Sequence, residues 1–331
     1  RASGLCHSDL HLVENDFGFV MPAVFGHEIS GVALEVGPRV TSVAVGDHVV
    51  GCLIKFCGSC IQCTSGRTFG CSTPDATLRS PAEAPRIRLA SGLPLTQIHG
   101  LGGFAEQALV HENQLAVVNN EIPFAQAALL GCAVATGAGA AINTAGVRVG
   151  DSVAVVGTGG VGLNAISGSR LAGAKTIIAV DNNETKLAIA HRFGATHIVN
   201  SARVDAVHAV REITNGGVDH AFEAVGLTST LEQALGMRCR GGGAYFIGIA
   251  VAGTTVSVDA SVAALSNRSS MQGVALGSTN LKRDLPLYAD LYIDGRLNLD
   301  DLISQTISIE EIEIAYDALK NGEVVRSVVT F

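Results

Sequence analysis

The clearest periodic pattern in the chain lies between residues 151 and 250, where short apolar runs alternate with stretches of helical spacing. The apolar runs are each short enough for a buried parallel strand, and they occupy 153–156, 176–180, 197–200, 218–225 and 243–250. Helical stretches are predicted at 203–214 and near 228–238. Strand alternating with helix is typical of a parallel, doubly wound sheet. The pattern therefore predicts an α/β domain over residues 134–276.

Residues 1–133 and 277–331 fall outside this pattern, and we assign them together to a second domain. The opening residues "RASGLC" read as the end of a strand that is already under way. We therefore expect the N-terminal strands of the second domain to be missing from this sequence.

Composition and charge narrow the classes of function. The 331 residues are 47% hydrophobic and include 39 glycines, as expected of a folded α/β protein, and the net charge is −8. No Lys/Arg run offers a footprint for nucleic acid or an anionic membrane. No apolar stretch approaches the ~20 residues of a membrane span, and no secretion signal is recognised. We expect a cytoplasmic protein that acts on small molecules, with no nucleic-acid or membrane partner.

Four of the eight cysteines lie in the stretch "CGSCIQCTSGRTFGC". Cys57, Cys60, Cys63 and Cys71 are separated by two, two and seven residues. Four thiolates on one short loop can surround zinc as a closed tetrahedron, which leaves no position for a substrate. An iron–sulfur cluster is the alternative, but the ferredoxin run has three residues before its fourth cysteine and a proline after it, whereas Ser72 follows here. The spacing predicts a structural zinc site.

A glycine-rich turn follows the first apolar run. It matches the pattern G-x-G-x-x-G at the start of a helical stretch, and its residues are Gly157, Gly159, Gly160, Val161 and Gly162. Such a turn lets a pyrophosphate approach the backbone at a helix N-terminus. The next strand ends at Asp181, where a carboxylate can bind the adenosine ribose and repel a 2′-phosphate. The pattern predicts a dinucleotide site that favours NAD over NADP.

Several stretches together resemble the zinc-dependent medium-chain alcohol dehydrogenases, a family of the medium-chain dehydrogenase/reductase superfamily. They occur in the family's order and near its spacing, and they read "GLCHSDLH", "GHEISGVALEVGPRVTSVAVGDHV", "CGSCIQC", "GCAVATGAGA", "VGTGGVG" and "RSVVTF". The resemblance covers nearly the whole chain. It implies that the α/β domain is a Rossmann domain and that the other domain is a mainly β, GroES-like catalytic domain with a structural zinc lobe.

The resemblance also implies how zinc is held. Cys6, His27 and Cys132 would bind a catalytic zinc with one open position, and the clustered cysteines would bind a structural zinc, so each chain would hold two zinc ions. Asp9 would orient the histidine ligand, and Glu28 would lie behind the metal. Zinc at this site would stabilise the alkoxide of a bound alcohol, which then transfers hydride to NAD.

Further residues of the family pattern concern the proton and the cofactor. Ser8 and His11 would relay the alcohol proton to solvent. The remaining matches would contact the cofactor: the pyrophosphate by His7 and Arg326, the adenosine ribose by Lys186, and the nicotinamide by Thr136 and Val161. Two other interpretations stay open, namely a zinc-free reductase of the same superfamily and a non-catalytic protein that binds zinc and nucleotide.

Substrate and assembly are less well defined by the sequence. Leu53 stands where many family members have an aromatic residue, and Phe17 is expected in the same region. The predicted substrate is an alcohol or aldehyde, and these residues do not define its carbon chain. The glutathione-linked formaldehyde branch has a basic residue where Asp75 stands, which argues against that activity.

The family's dimers join nucleotide domains through their last strand. The stretch "GGGAYFIGIAVAG" at 241–253 is the predicted strand, so we expect a homodimer or homotetramer.

Overall fold

Two units make up the chain in a computed structural model. One unit comprises residues 1–132 and 279–331, and the other comprises residues 133–278. The structure describes residues 1–15, 18–78, 83–259 and 269–331. We number strands and helices along the chain.

The first unit is mainly β. Its described strands are β1 (Ala2–Gly4), β2 (Ala23–Val24), β3 (Glu28–Val32), β4 (His48–Gly51), β5 (Ile87–Arg88), β6 (Pro94–Gln97), β7 (Leu115–Val117), β14 (Ile303–Ile307) and β15 (Arg326–Thr330). Its described helices are α1 (His7–Glu14), α2 (Ile61–Thr64), α3 (Phe124–Leu129), α9 (Leu281–Ile293) and α10 (Ile312–Lys320). The main sheet has the order β14-β15-β1-β3-β4-β7, and β2, β6 and β5 form a smaller sheet.

Strand β1 brings three distant segments of the first unit together. It pairs antiparallel with β15 on one side and with β3 on the other, so that Gly4 lies opposite both Val328 and Glu28. The Leu5 N–H then donates to the carbonyl of Ser327 (2.9 Å), and the chain turns into α1. The residues that follow β1 are therefore held beside the start of β3, which positions the site described below.

The second unit is a parallel α/β sheet. Its described strands are β8 (Ser152–Val156), β9 (Thr176–Asp181), β10 (His197–Asn200), β11 (Val218–Glu223), β12 (Arg238–Phe246) and β13 (Ser270–Gly273), in the order β10-β9-β8-β11-β12-β13. Its described helices are α4 (Ala135–Gly139), α5 (Gly160–Ala172), α6 (Glu184–Phe193), α7 (Ala206–Thr214) and α8 (Thr228–Met237). Apolar strand residues such as Ile178 pack with Val210 of α7 and Met237 of α8. The predicted doubly wound α/β fold is confirmed.

Some predicted element bounds differ from the structure. Helix α7 begins at Ala206 rather than residue 203, because the Asp205 side chain accepts a hydrogen bond from the His208 N–H (2.8 Å) and caps the helix there. Strand β12 begins at Arg238 and ends at Phe246, whereas the apolar run predicted 243–250. Pairing with β11 starts at Arg238, so the glycines that follow do not delay the strand.

The predicted edge of the nucleotide-binding sheet is wrong. The stretch 241–253 supplies β12, which is flanked by β11 on one side and β13 on the other. Among the described residues the edge strand is β13, whose side chains are exposed. The apolar run of β12 is explained by this position, because an interior strand of a parallel sheet is covered on both faces.

The prediction that no apolar stretch approaches the length of a membrane span is also wrong. The helix Phe124–Ala145 has 22 residues and a mean hydropathy of 1.5, which by length and composition would suffice to cross a membrane. However, 83% of its most apolar window is buried inside the protein, as in the core helix of a soluble protein. The segment is rich in alanine and glycine, which pack closely and raise the hydropathy only modestly per residue.

Candidate metal centres and dinucleotide site

The clustered cysteines converge on one point of their loop. Sulfur–sulfur distances are 3.9 Å for Cys57–Cys63, 3.4 Å for Cys60–Cys63 and 3.8 Å for Cys60–Cys71. Zinc–sulfur bonds of about 2.3 Å in a tetrahedron place the sulfurs about 3.8 Å apart. The geometry of this four-sulfur set therefore fits zinc.

Hydrogen bonds from the loop reach the sulfurs of Cys57 and Cys71, whereas burial raises the pKa of Cys63 to about 12. The pKa of Cys57 is lowered to about 5, first by the Thr73 side chain and then by the Ser59 N–H (3.4 Å). The N–H groups of Cys57 and Thr73 point at Cys71 Sγ, at 3.2 and 3.4 Å. Donors to sulfur favour the charged form, which is the form that binds metal.

A second cluster forms where β1, β3 and the helix after α3 meet. The ligand atoms of Cys6, His27, Glu28 and Cys132 all lie within 4.8 Å of one another, and all four residues are buried. Cys6 Sγ and Cys132 Sγ are 4.0 Å apart, near the separation that a shared zinc imposes. Cys132 can approach because its neighbour is Gly131: a Cβ there would lie 2.0 Å from the Gly51 carbonyl oxygen.

Asp9 orients the histidine of this cluster. Its Oδ1 lies 3.0 Å from His27 Nδ1 and accepts a hydrogen bond from the Gly26 N–H (3.3 Å). His27 Nε2 is buried and has no hydrogen-bond partner among the described residues, so it is the nitrogen left for a metal. Burial lowers the pKa of His27, but Asp9 and then Cys6 outweigh it and raise the pKa. Such a carboxylate–histidine pair is the usual support of a metal-ligating imidazole.

Glu28 brings a second carboxylate to the cluster. Burial raises the pKa of Glu28 to about 8, with Arg326 acting in the opposite direction. Arg326 Nε lies 3.6 Å from Glu28 Oε1, and neither Glu28 oxygen has a hydrogen-bond partner among the described residues. Two thiols, an imidazole and a carboxyl group with orphaned atoms form a donor set that fits a divalent cation such as zinc.

The predicted relay residues lie on α1. Ser8 and His11 are one turn apart and therefore share a helix face, and both are half-buried. Ser8 Oγ lies 3.6 Å from Cys6 Sγ, which places the hydroxyl beside the second cluster. His7 is exposed at the start of the same helix. The structure brings Ser8 beside Cys6, whereas the transfer of a proton from Ser8 to His11 stays a prediction.

The glycine-rich turn joins β8 to α5. Gly157 has φ +91°, and a Cβ at Gly162 would lie 1.8 Å from the Gly157 carbonyl oxygen, so the turn closes only with glycine at both positions. Gly159 precedes α5 as its N-cap, Gly160 begins the helix, and Val161 is half-exposed in the first turn. The first turn of α5 therefore offers backbone N–H groups and a positive dipole end to a phosphate.

Asp181 ends β9 and meets this turn. Because β8 and β9 are parallel neighbours, Asp181 Oδ2 accepts hydrogen bonds from the Thr158 N–H (2.7 Å) and the Thr158 hydroxyl (2.9 Å). Asp181 Oδ1 accepts one from the Asn183 N–H (3.0 Å). The carboxylate is thus fixed at the place where a ribose is expected. Sequence reasoning missed Thr158, although a hydroxyl residue between the first two glycines was a readable signal.

Contact of Lys186, Thr136 and Arg326 with the cofactor stays a prediction. Lys186 is half-buried on α6, and its N–H donates to the capping Asn183 Oδ1 (3.2 Å). Thr136 is buried on α4 in the second unit, whereas Arg326 is buried on β15 in the first unit. Of the residues expected around the substrate, Leu53 is half-buried, Asp75 is exposed, and Phe17 lies outside the described residues.

One residue beside the second cluster was not predicted at all. His99 lies edge-on to His27, with ring centroids 5.8 Å apart, and edge-on to Phe19 at 5.6 Å. Its backbone has φ +55°, and its carbonyl accepts a hydrogen bond from Gln114 Nε2 (2.9 Å). Burial, followed by the charge of His27, lowers the pKa of His99 to about 4, so the ring is neutral at physiological pH. His99 belongs to none of the sequence motifs, so no local pattern pointed to it.

Comparison with known proteins covers both units. Residues 1–120 match the family model described as alcohol dehydrogenase GroES-like domain, and residues 160–292 match that described as zinc-binding dehydrogenase. S-(hydroxymethyl)glutathione dehydrogenase of Paracoccus denitrificans is 36% identical, over 100% of this chain and 91% of that protein. An alcohol dehydrogenase zinc-binding domain protein from Burkholderia ambifaria has a TM-score of 0.94 at 36% identity, covering 100% of this chain and 90% of that one. Benzyl alcohol dehydrogenase from Acinetobacter calcoaceticus has a TM-score of 0.90 at 34% identity, and the match covers 99% of this chain and 89% of that one.

Proposed function

Because the chain belongs to the zinc-binding alcohol dehydrogenases, oxidoreductases that use zinc and a nicotinamide dinucleotide, we propose that it transfers hydride reversibly between an alcohol and NAD. The alcohol becomes an aldehyde or a ketone. The observation that carries this proposal is the buried set of Cys6, His27 and Cys132 with Asp9 behind the imidazole. A non-catalytic zinc protein has no need for such a set in addition to the closed four-cysteine site.

The residues of this set have separate tasks in the proposed reaction. Cys6, His27 and Cys132 hold a zinc ion, and Asp9 keeps the imidazole in the tautomer that leaves Nε2 free to bind it. Zinc, when bound there, supplies a Lewis acid that lowers the pKa of an alcohol hydroxyl. Ser8 accepts the proton of that hydroxyl, since its Oγ lies beside Cys6.

His11 receives the proton from Ser8 through the ribose of the cofactor and passes it to solvent. Its half-buried position one turn further along α1 supports this role. The four clustered cysteines hold a second, structural zinc, which stabilises their loop without taking part in the reaction.

NAD is the proposed cofactor in preference to NADP. The Asp181 carboxylate, held by Thr158 and Asn183, accepts a hydrogen bond from the adenosine ribose and would repel a 2′-phosphate. The helix α5 N-terminus binds the pyrophosphate. Lys186 and Arg326 remain proposed contacts to the ribose and the pyrophosphate.

Two measurements on one preparation test the proposal. We expect ethanol, butanol or benzyl alcohol to reduce NAD, and metal analysis to count two zinc ions per chain. Cys6→Ser should remove one zinc ion and abolish the reaction while the protein stays folded. Two zinc ions without alcohol-dependent reduction of NAD would instead favour a non-catalytic protein. NADPH-dependent reduction of activated double bonds by a protein without zinc would favour the zinc-free reductases.

The name of the Paracoccus denitrificans relative suggests a second candidate substrate, S-(hydroxymethyl)glutathione. Against it stands the exposed Asp75, whose negative charge lies where the glutathione-linked branch has a basic residue. We therefore propose a free alcohol as the substrate. Rates with formaldehyde plus glutathione, compared with rates for primary, secondary and aromatic alcohols, decide between the two.

The protein is further proposed to be a homodimer or homotetramer. The exposed edge strand β13, with Met271 half uncovered, leaves backbone groups for pairing with a second copy. Light scattering at micromolar concentration should give a mass above one chain, and a monomer would contradict this proposal. We also place the enzyme in the cytoplasm, where thiols stay reduced and can hold zinc.

A further inference from the structure

Tyr316 on α10 presents a hydroxyl group that nothing in the proposed reaction uses. Its ring packs on a buried apolar cluster that includes Leu5, the residue before the ligand Cys6. The hydroxyl oxygen itself is buried and has no hydrogen-bond partner among the described residues. A buried hydroxyl without a partner costs free energy, so such a group calls for a partner of its own.

Asp9 also has a buried side-chain oxygen that lacks a hydrogen-bond partner among the described residues. Its Oδ1 is used by His27 and Gly26, but its Oδ2 is buried and has no partner within the described ranges. A carboxylate oxygen accepts only, and a tyrosine hydroxyl can donate, so the two orphaned atoms are chemically complementary. After burial, the charge of Asp9 is the largest cause that raises the pKa of Tyr316, ahead of Cys6 and Glu28.

The register of two helices in the first unit supports this pairing. Helix α10 contacts α1, and Lys320 Nζ forms an ion pair with Glu14 Oε1 at 2.6 Å. Tyr316 lies one turn before Lys320 and therefore on the same face of α10. The ion pair thus holds this face of α10 against α1, the helix that carries Asp9.

We propose that Tyr316 is a positioning residue for the metal ligand His27: its hydroxyl donates to one water molecule that in turn donates to Asp9 Oδ2, and this link fixes the carboxylate that holds the imidazole. This inference rests on the proposed zinc site of Cys6, His27 and Cys132. Groups that support metal ligands through hydrogen bonds commonly change the metal affinity by about 10–100-fold when they are removed. Without this link, Asp9 is held through Oδ1 alone.

The test is the release of zinc to a chromogenic chelator, which needs no substrate. The two sites of one chain serve as internal controls for each other. In Tyr316→Phe we expect one of two zinc ions to be bound about 10–100-fold more weakly, and the other to be released as in the unsubstituted protein. Tyr288→Phe is the matched control, because Tyr288 is also buried in the first unit but faces no metal ligand, and both ions should be retained.

The outcomes separate the inference from the proposed function. Identical release profiles for the unsubstituted protein and Tyr316→Phe, each with two zinc ions, would overturn the role of Tyr316 and leave the zinc enzyme intact. One zinc ion per chain in the unsubstituted protein would overturn both. A second measurement uses an Asp9→Ala background, in which the inference requires that adding Tyr316→Phe has no further effect on zinc affinity.

Discussion

Asp181→Asn is the most specific test of the dinucleotide site, because it removes one negative charge and almost no side-chain volume. In the structure, Oδ2 takes two donors from Thr158, and Oδ1 takes the Asn183 N–H. A carboxamide can accept on one side only. If its oxygen faces Thr158, its NH₂ group points at the Asn183 N–H, where two donors oppose each other. The substitution therefore weakens both the acceptor and the turn that holds it.

The expected magnitudes follow from these contacts. A hydrogen bond to a charged group contributes about 1.5–3 kcal/mol, so loss of the bond to the ribose should raise the NAD dissociation constant by about 10–150-fold. Two unit charges about 4 Å apart repel by about 1 kcal/mol in water and about 4 kcal/mol near a protein surface. Asp181 is half-buried, so the preference for NAD over NADP should fall by about 5–1000-fold. The ribose is remote from the reacting carbon, so kcat should change little.

The assay is NADH fluorescence for binding and initial rates with NAD and NADP for discrimination. The sequence contains no tryptophan, so the protein adds little background to the NADH signal. Thr158→Val is the matched control: it keeps the charge and removes only the 2.9 Å hydroxyl bond, so NAD binding should weaken less and NADP should stay disfavoured. A ratio of NAD to NADP rates that is the same in Asp181→Asn as in the unsubstituted protein would show that Asp181 does not face the ribose.

Three further predictions concern zinc, the proton and pH. Cys60→Ser should lose one zinc ion and lower the melting temperature, while any folded fraction still transfers hydride; the reverse result would exchange the roles of the two sites. His11→Gln should slow alcohol oxidation most at low pH, by ~10²-fold or less, and imidazole buffer should restore part of the rate; a uniform loss across pH would remove His11 from the relay. The Ser42 hydroxyl (2.7 Å) and then neighbouring N–H groups lower the pKa of Glu112, so its contribution to stability is present above about pH 4.3 and is lost as the pH falls through the lowered pKa. Glu112→Gln should therefore flatten the acid side of the plot of melting temperature against pH, and an unchanged acid side would contradict this.

Part of the structure could be predicted from the spacing of residues within short stretches of the chain. The alternation of strands and helices in the second unit and the four cysteines of one loop are patterns within short windows, where periodicity and ligand spacing reflect geometry directly. Cys6 and Cys132 are different, because 126 positions separate them and only the pairing of β1 with β3 and the close approach at Gly131 bring them together. The family resemblance, rather than the spacing, identified that set.

The missed features have the same physical origin. His99 and Tyr316 act through neighbours that are distant in sequence, so no window of the chain contains their signal. The edge of the parallel sheet was misplaced because an apolar run marks a covered strand and says nothing about which strand is last. The long helix after residue 123 escaped notice because small residues fill it, and their burial is a property of the packed protein.

The place of β15 in the first sheet bears on how the protein is made. β15 lies between β14 and β1, so the strand that leads to Cys6 lacks one neighbour until residues 326–330 have left the ribosome. The second unit is contiguous from residue 133 to 278 and can fold earlier, whereas the main sheet of the first unit is incomplete until residues 326–330 have been synthesised. During that interval the nascent chain already contains all seven proposed zinc ligands, six cysteines and one histidine, and they are open to zinc and to oxidants. A chain cut before Arg326 would carry every one of those ligands and still lack the strand that sets the register of β1.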